Sequence, residues 1–169
     1  MVTTTNNPAD TVTPVTPPGA ALDNEEEALW RSLVEIIARL PRALDEQFTR
    51  ETGVNMTEYS VLVALSEAPD GELRMGDLAK ATALSRSRVT RIIDEMTRRA
   101  LVRRRKSDAD GRGAFASLTD EGATTLAKAY PGHLARVRAL VLDHLTRSEI
   151  RAMTQAFHRV STALREVTD

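Results

Sequence analysis

The stretch from Ser85 to Arg99 carries arginines and apolar residues at the spacing of a helix. Its apolar residues recur at i, i+3, i+4 and i+7, which predicts one buried face. That face consists of Val89, Ile92, Ile93 and Met96, and the opposite face carries Arg86, Arg88, Arg91 and Arg98. Ser85 is placed to cap the first turn, where backbone amides already give the helix a positive end. Arginines at such an end favour an anionic partner, such as the phosphates of DNA.

The residues before this stretch predict a second helix and a tight turn. Residues 76–82 have helical spacing with Leu78 and Ala79 facing inward, and a short connection separates them from Ser85. A helix, a turn and a basic second helix form a helix-turn-helix motif. Residues 73–75 predict a short strand just before this pair of helices.

The residues after the basic stretch predict a β-hairpin. One strand begins at Leu101 and Val102, and a second strand runs over 114–118. The turn between them, residues 107–113, contains glycine, aspartate and arginine. A hairpin that follows a helix-turn-helix is the wing of a winged helix. The sequence therefore predicts a mainly α fold with a small β-hairpin wing.

Changes in composition and periodicity divide the chain into four regions. They are a disordered tail over 1–22 that is rich in Thr, Pro and Asn, a long amphipathic helix over 23–54, the winged helix-turn-helix domain over 55–118, and further amphipathic helices over 119–169. We expect Pro41 to kink or split the first long helix, and Pro131 and Gly132 to break or bend a later one.

The long helices at the two ends of the chain each carry an apolar stripe that must be buried. They could pack against each other within one chain. A symmetric dimer would also bury both stripes and would present two recognition helices. We therefore favour a homodimer whose interface is formed by residues 23–54 and 119–169.

Composition and charge exclude several classes of protein. With no cysteine, the chain forms neither disulfides nor thiolate metal sites. The sequence has no run of the roughly 20 apolar residues that span a bilayer and no secretion leader pattern, so we expect a cytoplasmic protein without membrane association. The segment from Leu73 to Leu118 holds twelve Lys and Arg against five Asp and Glu, whereas the whole chain has a net charge of −1. A nucleic-acid-binding face or a merely solvated helical face would each account for this asymmetry.

A series of motifs, taken in order, resembles the MarR family of bacterial winged-helix regulators. The motifs are Leu78-Ala79, Leu84-Ser85, Val89-Thr90-Arg91, Leu101-Val102-x-Arg104, Asp110-x-Arg112 and Leu118-Thr119-x-x-Gly122. The resemblance covers about Asn24 to Val167. Ala100 departs from it, because the family usually has glycine before Leu-Val, at the C-terminal cap of the recognition helix.

The resemblance implies a function and a set of contacts. It implies a homodimer that binds an inverted-repeat operator in double-stranded DNA, with the recognition helices in successive major grooves, and it favours repression of transcription. The residues that match the family's recognition-helix contacts are Ser85, Arg86, Ser87, Arg88, Thr90 and Arg91. The wing contact falls on Arg112, which suits the minor groove, and Asp110 would hold Arg112 in place.

The resemblance also implies a ligand site and phosphate contacts along the wing. Family members bind small phenolic or anionic molecules in a cleft beside the dimer helices, and the ligand weakens DNA binding. Trp30, Tyr59 and His133 lie on elements that resemble the walls of this cleft, although such residues more often belong to an ordinary core or surface. On the wing, the side chains assigned to phosphates or to solvent are Arg103, Arg105 and Lys106.

Two other classes of function compete with DNA binding. An enzyme is disfavoured because His133, His144 and His158 lack metal-ligand spacing and no glycine-rich phosphate loop follows a strand. We therefore expect no cofactor. A winged helix that contacts a protein partner is the second alternative, but it would need neither arginines at the start of the recognition helix nor one at the tip of the wing.

Overall fold

The computed structural model describes residues 19–106 and 113–168 of the chain. Six α-helices and three β-strands occur in these ranges, and the mainly helical fold with a small β wing is confirmed. In chain order the elements are α1 (Asn24–Thr52), α2 (Met56–Ser66), β1 (Glu72–Arg74), α3 (Met75–Ala81), α4 (Arg86–Arg98), β2 (Val102–Lys106), β3 (Ala114–Leu118), α5 (Asp120–Leu140) and α6 (Arg147–Thr168). The tail predicted over 1–22 falls mostly on residues 1–18, which lie outside the described ranges.

The chain divides into two units at a boundary inside α1, between Arg39 and Leu40. In the first unit, the Asp23 carboxylate accepts hydrogen bonds from the backbone N–H groups of Glu25 and Glu26, at 2.8 and 2.9 Å, and so caps the start of α1. Large apolar side chains of this unit are exposed: Leu29, Trp30, Val34, Ile36 and Ile37. The second unit holds the hydrophobic core.

Local side chains fix two helix starts that the sequence predicts. Ser85 Oγ accepts a hydrogen bond from the backbone N–H of Arg88 at 3.3 Å, so α4 begins at the expected position. Before α6, Thr146 and Glu149 form a capping box in which each side chain accepts from the other residue's backbone N–H, at 3.3 and 2.7 Å. Both predicted helix starts are confirmed. They could be predicted because each depends on residues that are close in sequence.

Two prolines lie inside continuous helices, so of the two outcomes expected at each position, a kink or bend and a break, the break does not occur. Helix α1 passes through Pro41, and α5 passes through Pro131 and Gly132. A proline removes one backbone hydrogen bond, but helical residues on both sides carry the helix across that gap.

The wing is a three-stranded antiparallel sheet rather than a simple hairpin. The predicted pair of β2 and β3 is confirmed, with Arg104 opposite Ala116. The short strand expected over 73–75 lies one residue earlier, at Glu72–Arg74, because Met75 already begins α3. This strand, β1, pairs with β3, which gives the order β1-β3-β2. The turn with Asp110 and Arg112 lies outside the described residues.

The core of the second unit holds the helix-turn-helix against the sheet and α5. The predicted inward face of α4 is confirmed, since Val89, Ile93 and Met96 are buried and Ile92 is half-buried. The remaining buried apolar residues are Phe48, Val54, Tyr59, Val61, Leu62, Leu65, Leu78, Ala79, Leu101, Val102, Ala116 and Ala129. This packing buries one face of α4 and leaves its other face outward.

Two alanines end the helices of the motif in the left-handed backbone region. Ala100 has φ 57° after α4, and Ala83 has φ 52° after α3. At Ala100 the backbone N–H bonds to Thr97 O, and the next N–H, of Leu101, bonds back to Met96 O, which is the Schellman arrangement. The helix cap that the family usually builds with glycine is therefore formed here with alanine.

Candidate nucleic-acid interface

Helix α4 presents one polar face because its opposite face is buried. Ser85, Arg86, Ser87, Arg88 and Arg91 are exposed on this face. The hydroxyl oxygens of Ser85 and Ser87 lie 3.2 Å apart, next to the first turn of the helix. Exposed hydroxyl and guanidinium groups at the start of a helix are the groups that contact base edges and phosphates in helix-turn-helix proteins.

Thr90 belongs to the same face but is less accessible. It is half-buried, and its Oγ1 donates a hydrogen bond to the Arg86 carbonyl at 3.0 Å. The hydroxyl oxygen keeps its capacity as an acceptor, and the methyl group keeps its apolar contact surface.

Three arginines of this face lack an internal partner. Within the part of the chain that the structure describes, the guanidinium groups of Arg86, Arg88 and Arg91 make neither a hydrogen bond nor an ion pair. Each guanidinium carries five N–H donors and a fixed positive charge. The start of α4 therefore concentrates charge and donors that only an external acceptor can satisfy.

Other arginines of the basic segment are engaged in ion pairs. The pairs are Arg98 with Glu95, Arg99 with Glu58, Arg104 with Asp94, and Arg105 with Glu72. The last pair changes one expectation: Arg105, assigned to phosphate or solvent, donates through Nε to the Glu72 carboxylate at 2.9 Å. Part of the charge excess is thus neutralised internally, whereas the arginines at the start of α4 are left available.

A phenylalanine organises the outer face of the wing sheet. Phe115 on β3 contacts two cations, with the guanidinium carbon of Arg105 4.4 Å and that of Arg74 4.9 Å from the ring centroid. Both arginines lie opposite Phe115 on the neighbouring strands. These two cation–π contacts link β3 to both of its neighbouring strands. Arg103 and Lys106 are exposed on β2.

A groove separates the wing from the start of the recognition helix. Its volume is about 350 Å³, and the residues that line it include Arg74, Gly76, Arg86, Thr90 and Gly113. Two of these, Arg86 and Thr90, belong to the predicted contact residues. The groove shows that the α4 face and the base of the wing border one continuous surface, as two contacts to a single duplex require.

Of the three residues considered for a ligand cleft, the structure brings two together. The rings of Tyr59 and His133 lie 4.7 Å apart, and Phe48 makes edge contacts with both. Two cavities of about 540 and 660 Å³ share the lining residues Tyr59, Val63, Glu67 and His133. Trp30 belongs to the first unit, where it is 56% exposed.

The surroundings of His133 keep its imidazole neutral and leave its Nδ1 atom without a hydrogen-bond partner among the described residues. Burial lowers the pKa of His133 and raises the pKa of the Tyr59 hydroxyl, so both side chains are uncharged at neutral pH. The Nδ1 atom of His133 is buried without a hydrogen-bond partner among the described residues. An unsatisfied buried nitrogen costs free energy that a ligand hydrogen bond would recover.

Sequence reasoning missed the Glu58–Arg99 pair and the role of Phe115. Glu58 stands three residues after Asn55, and this spacing is the signal of a capping box that could have been read. Phe115 is predicted as a strand residue, but one of its cation partners, Arg74, lies on a strand distant in sequence. No group of His, Asp and Glu within the described ranges is arranged to hold a metal ion, and none of the helices there is long and apolar enough to cross a bilayer.

These features define a winged helix-turn-helix protein with a basic recognition helix. A model of the MarR family matches residues 52–113, which include α2, α3, α4 and β2. The Streptomyces coelicolor regulator Sco3205, solved in complex with DNA, is 36% identical, with a TM-score of 0.82 over 86% of this chain and 91% of that one. AbsC, from the same organism, is 35% identical, with a TM-score of 0.81 over 87% of this chain and 99% of that one.

A curated relative points the same way. The Bacillus subtilis transcriptional repressor YetL is 25% identical over 145 residues, which cover 84% of this chain and 86% of YetL. The chain therefore belongs to the MarR family of transcriptional regulators. It is a DNA-binding regulator and not an enzyme.

Proposed function

We propose that this chain represses transcription as a homodimer that binds an inverted-repeat operator and that a small ligand releases it. The observation that carries the proposal is the set of three exposed arginines at the start of α4, Arg86, Arg88 and Arg91, which have no partner among the described residues. Repression is inferred from the name of the related repressor YetL. Since it acts on the chromosome, we place it in the cytoplasm.

Two kinds of DNA contact follow from the positions of these residues. Arg88 and Arg91 would form bidentate hydrogen bonds with guanine in the major groove, and each such pair contributes roughly 1–3 kcal/mol of discrimination. The residues that would support them are Ser85, Arg86, Ser87 and Thr90, through phosphates and base edges. In the wing, Arg112 would enter the minor groove with Asp110 holding it. The related Sco3205, crystallised with DNA, supports this mode of binding.

The apolar faces of the terminal helices support a dimer. On α6, Phe157, Val160 and Leu164 recur at helical spacing and are 49%, 51% and 59% exposed. Isolated exposed apolar residues are ordinary, but a periodic stripe on a 22-residue helix is typical of an interface. A twofold dimer would bury this stripe and would place two recognition helices about 34–36 Å apart, one turn of DNA.

The Tyr59–His133 cleft supports a ligand that is phenolic rather than anionic. Neither cavity is lined by lysine or arginine, and the charged residue that both share is Glu67. A carboxylate ligand would lack a cation there, whereas a phenolic hydroxyl could donate to His133 Nδ1 and stack on the rings. A ligand that binds better to one spacing of the recognition helices would shift the dimer away from DNA.

The proposal is tested with a DNA duplex selected from a random-sequence library by the wild-type protein. Footprinting should show two protected half-sites related by inversion, with centres about one helical turn apart. Arg91→Ala should weaken binding to this duplex by about tenfold or more, through the lost guanine contact. Arg98→Ala is the matched control, because Arg98 pairs with Glu95 on its own helix, and it should bind like the wild type. An asymmetric footprint, or full affinity in Arg91→Ala, would contradict the proposal.

A further inference from the structure

A buried carboxylate lies behind the recognition helix. Glu58 on α2 is 5% exposed and is the buried charged residue of the described part of the chain. Its Oε2 accepts a hydrogen bond from the backbone N–H of Asn55 at 3.0 Å, which completes the capping box of α2. Its Oε1 accepts a hydrogen bond from Arg99 Nη1 at 2.8 Å. One carboxylate thus serves both the start of α2 and the end of α4.

The Arg99 guanidinium reaches a third segment as well. Its Nη2 donates to the carbonyl oxygen of Gly53, the residue that follows α1 and has φ +72°. Arg99 is the C-terminal cap residue of α4. Its planar, fork-shaped side chain therefore connects the end of the recognition helix with both the end of α1 and the start of α2.

Local structure does not need this link. Helix α4 ends through the backbone bonds of Ala100 and Leu101, and α2 is capped by the reciprocal bonds of Asn55 and Glu58. The neighbouring Arg98 shows the local alternative, since it pairs with Glu95 one turn back on the same helix. The additional bonds of Arg99 act between elements that are 41 and 46 residues apart in sequence.

We propose that Arg99 is a positioning residue for DNA recognition, which fixes the direction of α4 relative to the end of α1. The inference rests on the proposed homodimer, in which α1 belongs to the dimer interface and α4 to the DNA interface. The bonds of Arg99 to Glu58 and Gly53 then set the spacing between the two recognition helices.

The geometry makes this spacing sensitive to the anchor. With a rise of about 1.5 Å per residue, the start of α4 lies about 20 Å from Arg99. A rotation of about 5° at Arg99 would therefore move the first turn by about 1.7 Å. Direct hydrogen bonds to bases tolerate only a few tenths of an ångström, so the guanine contact of Arg88, in the first turn, would be lost on one half-site or both.

The test compares Arg99→Gln with Arg98→Gln, because each variant removes one positive charge from the same end of α4. Binding is measured to the selected duplex, to versions with one or two base pairs inserted between the half-sites, and to a duplex of unrelated sequence. We expect Arg99→Gln to bind the selected duplex about tenfold or more weakly while binding unrelated DNA normally. The ratio of its affinities for the selected duplex and for the duplexes with inserted base pairs should fall towards one. Arg98→Gln should keep the ratio of the wild-type protein.

Two further measurements separate positioning from damage to the fold. Thermal melting and sedimentation report whether Arg99→Gln remains folded and dimeric. If it does not, Glu58→Gln replaces it, because the amide keeps an acceptor for the α2 cap but loses the charged partner of Arg99. The same loss of spacing preference is expected from this variant.

Three results would overturn the inference in distinguishable ways. An unchanged spacing preference in a folded Arg99 variant would refute the positioning role alone. An equal loss of spacing preference in Arg98→Gln would show that the removed positive charge causes the effect, and not the bonds of Arg99. If the wild-type protein itself shows neither a dimer nor a spacing preference, the proposed function fails first, and the inference fails with it.

Discussion

Gly122 is the position at which a single methyl group should disturb the fold most. A Cβ built on Gly122 would lie 2.1 Å from the carbonyl oxygen of Leu101 and 2.9 Å from Leu118 Cδ1. Relieving the contact requires the first turn of α5 to move by more than about 1 Å, since non-bonded carbon contacts need about 3.5 Å. That turn is held to Leu101 O by the Thr119 N–H at 3.3 Å and by Thr119 Oγ1 at 2.9 Å.

The magnitude follows from the contacts that the shift would break. Two hydrogen bonds contribute about 1 kcal/mol each, overpacking costs about 1–3 kcal/mol, and the higher helix propensity of alanine returns up to about 1 kcal/mol, so Gly122→Ala should lower the free energy of unfolding by about 2–5 kcal/mol. Urea unfolding, followed by circular dichroism at one fixed protein concentration, measures this change. Such a loss is a large share of the 5–15 kcal/mol that is roughly typical of a folded domain.

Gly132→Ala provides the control in the same helix. The nearest atom to its Cβ would be Glu51 Oε2 at 3.8 Å, an ordinary contact. Alanine should therefore be neutral or should stabilise α5 by up to about 1 kcal/mol. If Gly122→Ala costs less than about 1 kcal/mol while Gly132→Ala behaves as expected, the close approach of α5 to Leu101 is refuted.

Three other predictions concern stability. Ala100→Gly, and equally Ala83→Gly, should raise the free energy of unfolding by about 0.5–1 kcal/mol in urea titrations, because relief of left-handed strain exceeds the added flexibility of the unfolded chain; a loss of stability would contradict the left-handed caps. Burial lowers the pKa of His133, so the unfolded chain binds a proton at this residue more readily than the native chain does. The free energy of unfolding should therefore fall as the pH drops below about 6.5. His133→Phe should flatten the dependence of the free energy of unfolding on pH, and an unchanged dependence would show that other groups cause it. Phe115→Leu should cost about 1–2 kcal/mol by removing two cation–π contacts, and an unaltered urea midpoint would show that the ring does not hold the wing.

The recognition helix could be predicted from sequence because its signals are local. The apolar period of α4, the Ser85 cap and the capping box at Thr146 each involve residues within one or two turns of one another. The two strands of the wing follow from alternation around a glycine-bearing turn. For the same reason, the exposed arginines of α4 were identified without a structure.

Other features depend on contacts between distant segments and could not be predicted in this way. The short strand β1 was predicted, but its pairing with the edge of β3 was not, and Arg105 is neutralised because Glu72 lies across that sheet. The alanine at position 100 adopts φ 57° against the preference of the residue itself, directly before the buried Leu101. A kink or a split was expected at Pro41, and α1 continues through it without a break, which helix propensity alone does not decide.

The measurement that tests the central claim most directly is the salt dependence of duplex binding by the wild-type protein. If Arg86, Arg88 and Arg91 of two subunits each displace about one counterion from DNA, whether they reach a phosphate or a guanine edge, log K should fall with log salt concentration at a slope of about −5, at roughly −0.9 per cation. The triple variant with alanine at these positions should lose most of that slope. A slope near zero for the wild-type protein would contradict the claim that this face binds DNA.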